Sequence, residues 1–320
     1  MLDSALALVR RNLVGAIMLL VLAVFSATCP NFFTVGNFLD ILKQGGVLCL
    51  VALAMTMVLI VGGMDMSVGA MTDMCTNLCA GMLLSGSSPA LALAAAMGAG
   101  IGMGLFNAVM AVAVGIPSFI ATVGTMFVVT GLIFAYNKGQ SFLLRDQPFF
   151  FSLAQGTTWG VPNMAIIVAV VTVVVFIFVR RVRFGTYLYA VGGNAMAAKT
   201  AGIGLAAPRV AAYALSGALS GVAGILASSY ISGSFALGSS FEFLITAFAA
   251  AFLGSTLIRQ GELNPLGTVI AALFITALTN AITLYGVSHL LLPAFSGTVL
   301  IVALVLGNWG KKQIGQMTIF

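Results

Sequence analysis

The chain has 320 residues, of which 61% are hydrophobic and only 6% charged, and its formal net charge is +6. Soluble domains carry about 25% charged residues, so this chain lacks the polar surface to cover a water-soluble body, and its solvent is mostly lipid. The apolar runs are long and continuous rather than alternating, which favours an all-α polytopic membrane protein over a β-barrel.

The runs predict about ten transmembrane helices, near 12–28, 46–61, 67–84, 90–115, 117–136, 163–180, 209–231, 243–258, 266–285 and 290–308. Arg10 and Arg11 precede the first run, and "SATC" before Pro30 faintly resembles a lipoprotein cleavage site. Nine further runs favour a retained signal-anchor helix instead. Pro30, Pro89, Pro117 and Pro162 mark breaks between runs. The second and eighth runs are the shortest, below the ~20 residues that cross a bilayer. Short or glycine-interrupted spans are where transporters place binding sites at mid-membrane depth.

Between the second and third runs lies "VGGMDMSVGAMTD", Val61 to Asp73. Gly62 and Gly63 break the helix just before Asp65. An aspartate at the centre of a span costs about 2.5–3.5 kcal/mol on insertion scales. Asp65, Gly69, Asp73 and Asn77 recur every four residues, with Thr76 beside them. A helix starting at Asp65 would carry them on one face. For Asp73 and Asn77 two roles stay open: lining a wet cavity, or interhelical hydrogen bonding. For Asp65 the adjacent break favours shaping a helix terminus.

Cys29, Cys49, Cys75 and Cys79 lie in or beside spans. Two thiols one turn apart with no histidine near make a poor metal site, so packing is their expected role. A faint echo links "NAVMAVAVGIPSFIATVG" from Asn107 to "NAITLYGVSHLLLPAFSGTV" from Asn280. Five spans against five would give inverted halves, an arrangement that transporters use. The loop from Asn137 to Asn163 carries Phe149, Phe150, Phe151 and Trp159, as suits a membrane-interface belt or a re-entrant segment. The loop near 180–209 contains a short helix candidate after Gly193, with Asn194 as N-cap and Gly202 or Gly204 as stop. Such a short helix needs a partner to lie against, which makes this loop a coupling element; the alternative is a solvated linker. Glu242 opens the eighth run, where it complements the helix dipole. His289 stands alone at the end of a span.

Lys and Arg set the orientation. With both termini inside, the cytoplasmic side holds Arg10, Arg11, Arg180, Arg181, Arg183, Lys199, Arg209, Arg259, Lys311 and Lys312. Only Lys43, Lys138 and Arg145 fall outside. The basic residues are scattered over short loops, so the net charge signals topology and not a nucleic-acid surface. The sequence contains no Walker A pattern, HExxH, G-x-S-x-G elbow, arginine ladder or TVGYG filter. ATP hydrolysis, metalloprotease chemistry, voltage sensing and potassium conduction therefore have no sequence support.

"GGMDMSVG" (62–69), "GIPSFIATVGTM" (115–126) and "RFGTYLYAVGGNAMAAKTAGI" (183–203) stand in this order along the chain. Together they resemble the ribose-type sugar permeases, the membrane subunits of bacterial ATP-binding-cassette importers. The resemblance implies one transmembrane permease domain over 1–320, with the loop near 180–209 meeting the ATPase through Gly192, Gly193, Asn194, Ala197 and Ala198. It assigns Gly62, Gly63, Asp65, Ser67 and Gly69 to the permease signature. It implies three kinds of partner in a bacterial cytoplasmic (inner) membrane: an ATP-binding-cassette ATPase, an external sugar-binding protein, and a second permease copy or paralogue. This chain would bind no cofactor; ATP and Mg would sit on the ATPase. The expected mechanism is alternating access for a sugar or sugar-like solute. Sugars offer hydroxyls and apolar C–H faces, so Asp73, Asn77, Asn107 and Phe119 are the candidate pathway residues. The chain departs from the family after Glu242. Gly254–Ser255 stands for a Gly-Gly pair, and Arg259 to Asn264 stands for a glycine-rich turn. Asp73 also lies outside the family wording. The alternatives are an ion-coupled secondary transporter, with Asp65, Asp73 and Glu242 as coupling carboxylates, and a passive facilitator.

Overall fold

A computed structural model describes residues 13–235, 239–258 and 261–286, and beyond them only 291, 294, 297, 298, 301, 302 and 305. Arg10, Arg11, Arg259, His289, Lys311, Lys312 and most of the tenth predicted span lie outside the described residues.

The helices are α1 (Leu13–Thr28), α2 (Val35–Ile60), α3 (Val68–Leu84), α4 (Pro89–Ala108, running on as a π-helical turn Val109–Val114) and α5 (Ser118–Asn137). They continue as α6 (Pro148–Gln155), α7 (Asn163–Arg181), α8 (Arg183–Gly193), α9 (Ala195–Thr200), α10 (Ala206–Ile231), α11 (Ser239–Gly254) and α12 (Pro265–Leu284). A two-residue hairpin, β1 (Thr157–Thr158) with β2 (Val161–Pro162), is the one sheet among the described residues. Six helices (α2, α4, α5, α7, α10 and α12) are long and apolar enough to cross a membrane, and α1, α3 and α11 are shorter apolar helices. The chain is an all-α polytopic membrane protein.

The second span is not short. Its helix runs 26 residues, and Thr34 starts it by accepting a hydrogen bond from the Asn37 amide. Asn37, Asp40, Lys43 and Gln44 end the apolar run without ending the helix, because backbone hydrogen bonding continues through polar side chains. The eighth span is short as expected: α11 has 16 residues. Prolines 89 and 265 open α4 and α12 at the first turn, behind N-caps Ser88 and Asn264.

Helices α2 and α10 form the centre. Of the apolar window of α2, 78% is buried, against 22% for α4 and for α5, so those two present most of their surface outward. Small residues let α4 and α10 meet backbone to backbone, Gly100 and Gly104 facing Gly217 and Gly221. Cys75 donates to the Ala96 carbonyl at 3.2 Å and packs with Cys79, Ala92 and Ala96 in an apolar cluster.

The two ends of the bundle differ. At one end the 138–162 segment joins the exit of α10 through a bridge between Leu143 and Gly233, and α6 is tied to α10 by Gln155. At the other end sit α8, α9, the 61–67 break and the 255–264 turn. The loop near 180–209, expected to hold one short helix after Gly193, is mostly helical and holds a second helix before it. Buried Gly185, Leu188 and Val191 form the inner stripe of α8. The echo between Asn107 and Asn280 has one structural counterpart. Both side-chain carbonyl oxygens are buried without a hydrogen-bond partner among the described residues.

Candidate functional site

Helix α2 ends at Ile60, and Gly62 then takes a left-handed φ of +77°, which turns the chain out of the helix. Helix α3 begins only at Val68. Asp65 therefore lies in the break and not on the α3 face, which corrects the four-residue strip at its first member. The physical reason is that the amides of Met64 and Met66 are bonded away from the helix. They donate to Ser118 Oγ at 3.1 Å and to Thr122 Oγ1 at 3.0 Å, both on α5.

The Asp65 carboxylate is fully buried. Oδ1 accepts from the Ser67 amide at 3.0 Å and from Ser67 Oγ at 2.6 Å. Oδ2 accepts from Ser216 Oγ on α10 at 3.0 Å. Asn107 Nδ2, at the end of α4, donates to Ser67 Oγ at 2.8 Å and lies 3.5 Å from Asp65 Oδ1. Tyr213 OH on α10 donates to the Met64 carbonyl at 3.3 Å. The acid shapes the start of α3 and ties the break to α4 and α10, while the Met64 and Met66 amides tie it to α5. Asn107, named as a pathway residue, belongs to this cluster.

Gly69, Asp73 and Asn77 do follow one another along α3; the first two meet the start of α11 at Ser240, and the third meets the end of α5. A side chain at Gly69 would collide with the Ser240 backbone. The Ser240 hydroxyl donates to Asp73 Oδ2, so α11 begins directly against α3. Asn77 donates to the Asp73 carbonyl at 2.9 Å and accepts from Asn137 Nδ2, at the end of α5, at 3.0 Å. Phe119 stands apart, 49% exposed near the start of α5. The four proposed pathway residues thus fall in three places.

The segment that follows α7 has an inner and an outer side. Asn194 caps α9, its Oδ1 accepting from the Ala197 amide at 2.9 Å, and Gly202, with φ +81°, lies just beyond the helix. Ala198 is buried, whereas Met196 is 71% exposed. Gly192 lies against the Ile60 carbonyl and the Gly62 backbone, where no side chain fits. The "VGGN" motif and the "GGMDMSVG" motif are therefore in contact through their glycines, a contact that no spacing along the chain could announce. Ser118, Thr122, Tyr213 and Ser216 were also missed. They are ordinary polar residues in apolar helices, and only the fold shows what they hold.

A bundle of apolar helices interrupted by a pinned break, with the short helix α8 resting on that break through Gly192, is the architecture of a polytopic membrane protein. The family described as "branched-chain amino acid transport system / permease component" matches residues 37–304, and the chain belongs to it. Among curated relatives, the ribose import permease protein of Bacillus subtilis (strain 168) is 36% identical over 279 residues, covering 87% of this chain and 86% of the relative. The ribose import permease protein of Escherichia coli (strain K12) is 30% identical over 300 residues, 92% of each chain. The galactofuranose transporter permease protein of the same strain is 30% identical over 278 residues, covering 84% of this chain and 81% of the relative. No solved structure matches the chain. The chain is a transport component rather than an enzyme.

Proposed function

We propose that the chain is the membrane subunit of an ATP-driven importer for a sugar or a sugar-like polar solute. The observation that carries this reading is the coverage of ribose and galactofuranose permeases over most of their own length. The geometry supports it. Helices α8 and α9 sit at the end of the bundle that holds Arg180, Arg181, Arg183, Lys199 and Arg209, which is the cytoplasmic end by the positive-inside rule. The inner side of α8 touches the break at Gly192, and α9 offers Met196 outward to an ATPase. Ten spans with both termini inside, in a bacterial inner membrane, complete this topology. An external binding protein delivers the solute to the opposite end, and ATP and Mg reside on the ATPase.

A second permease copy or paralogue covers the outward faces of α4 and α5. There Gly98, Gly102, Gly124 and Gly131 have open space before them, as close helix association in a membrane requires. ATP binding moves α8 and α9, and Gly192 carries that movement to the break and so to α4, α5 and α10. Asp73 and Asn77 are engaged with α11 and α5, so a solute passes them only when those helices part from α3. Asn107 keeps its side-chain carbonyl oxygen for a hydroxyl.

Reconstitution tests the reading. Proteoliposomes holding this chain with its ATPase and binding protein concentrate the solute only when ATP is present. Concentrative uptake by this chain alone on an ion gradient would establish a secondary carrier instead. Equilibration without concentration would establish a facilitator.

A further inference from the structure

The one ion pair among the described residues stands where three segments meet, the end of α7, the turn before α12 and helix α8. Arg180 Nη1, at the close of α7, lies 2.5 Å from Glu262 Oε1 in the α11–α12 turn, with the two side chains only 19% and 30% exposed. The same guanidinium lies 5.2 Å over the ring of Tyr189 on α8. Tyr189 OH donates to the Leu263 carbonyl at 2.7 Å. The turn continues straight into α12. Asn264 Nδ2 donates to the Glu262 carbonyl at 3.1 Å, and its Oδ1 caps the helix at the Gly267 amide at 2.7 Å. One turn into α12, Thr268 Oγ1 is 2.9 Å from Thr56 Oγ1 of α2.

We infer that Arg180, Tyr189 and Glu262 are positioning residues that clasp α8 to the α11–α12 turn, so that α8 moves only together with α12. This rests on the reading of α8 and α9 as the coupling segment. The clasp lies where the chain replaces a glycine-rich turn with Arg259 to Asn264. Glycine offers no carboxylate to hold an arginine, so the acid at 262 adds the Arg180 pair to the bond that Tyr189 makes with the Leu263 carbonyl. Arginine suits the position because its planar fork pairs with a carboxylate while its face stacks on an aromatic ring. Partial burial shields the pair from salt. Tyr189 and Gly192 are less than one helical turn apart, so α8 is held at two neighbouring points. Gly192 bears on the α2–α3 break, and Tyr189 on the α12 turn. A push on α9 is thereby divided between both halves of the bundle.

The test uses E262Q, Y189F and the exchanged pair R180E/E262R in the full-length chain, with two readouts. The first is amide hydrogen exchange over residues 183–200 in the purified permease alone. The second is solute moved per ATP hydrolysed in the assembly with ATPase and binding protein. E262Q speeds exchange in α8 by about two- to fivefold, the range for a partly exposed pair. It also lowers solute moved per ATP while the ATPase copurifies at the wild-type ratio. Y189F retains the ring and gives a smaller change in the same direction. R180E/E262R recovers part of both losses, since it restores the pair but not the stacking. Unchanged α8 exchange in E262Q overturns the clasp. So does a fall in ATPase retention that matches the fall in uptake, which is the mark of a merely structural loss. If the wild type neither retains an ATPase nor concentrates solute, the importer reading falls, while exchange in the isolated permease still decides the clasp.

Discussion

The two buried aspartates at either side of the start of α3 are eight residues apart and live by different rules. Asp65 takes hydrogen bonds from Ser67 twice and from Ser216, with Asn107 at the edge of reach, and so gathers a turn and two other helices. Asp73 is an outward branch of a continuous helix, held by the Ser240 hydroxyl at the start of α11. Both are costly in an apolar bundle. The break repays that cost because its own backbone groups need partners and the acid organises them. Along α3 the backbone is already satisfied, so what the hydrogen bond from Ser240 adds at Asp73 is the place where α11 begins. The first acid organises a break in the backbone, whereas the second joins one helix to the next.

Breaking the comparison at its strong side has the largest expected effect. Asp65→Ala strands the Ser67 amide and the Ser216 hydroxyl, at about 1–3 kcal/mol for each buried group left unmade. Most of the protein is then lost on extraction from the membrane, as size-exclusion profiles after mild heating will show. Asp65→Asn retains an acceptor for Ser67 but turns an amide NH2 towards one of its donors, and gives an intermediate loss. If Asp65→Ala is as stable as the wild type, the break is not held by its carboxylate. Gly192→Val comes next. The new side chain meets the Ile60 carbonyl, and overpacking of this kind costs about 1–3 kcal/mol. Uptake should fall more than folded yield does, because the strain sits on the contact between α8 and the break. Equal losses in yield and uptake would remove Gly192 from the coupling path.

The apolar spans announce themselves because lipid demands continuous hydrophobic runs; nine of the ten expected spans coincide with described helices to within a few residues, apart from the start of α2. That start was hidden because Asn37, Asp40, Lys43 and Gln44 look like a loop to a hydropathy window, while the helix needs only their backbones. The strip included Asp65 only on the condition that α3 began there, whereas the Gly62–Gly63 break already pointed to a helix terminus, which is where it lies; spacing by four is a helical signal only where the helix exists. Helix α8 was invisible because its inner stripe is just Gly185, Leu188 and Val191. Within the coupling segment the cap Asn194 could be read from its residue type. That Met196 faces outward and Ala198 inward could not, since two residues on so short a helix are told apart only by what it rests on.

A milder change separates the second acid from the first. Asp73→Asn leaves an oxygen to accept from Ser240 and retains the van der Waals volume. The stability change is therefore small, about 1 kcal/mol or less for a net hydrogen-bond difference. ATP-dependent uptake persists, because the proposed energy source is a partner chain and not a carboxylate of this one. If Asp73→Asn abolishes concentrative uptake while the protein stays folded and bound to its ATPase, the acid takes part in energy coupling and the ion-coupled reading gains its first residue.

The smallest effect belongs to Phe119, which no buried network holds. It is 49% exposed near the start of α5, three residues from buried Thr122 along the helix, so Phe119→Leu removes little packing and should change stability by less than about 0.5 kcal/mol. Its interest lies in that quietness, because any change in transport cannot then be blamed on folding. A ring that stacks on the C–H face of a sugar raises KM when replaced by leucine and leaves the rate at saturating solute unaltered. A lowered maximal rate at constant KM would instead put Phe119 in the movement of α5 against the break. No change in either places its ring against lipid or the second permease, and withdraws it from the pathway.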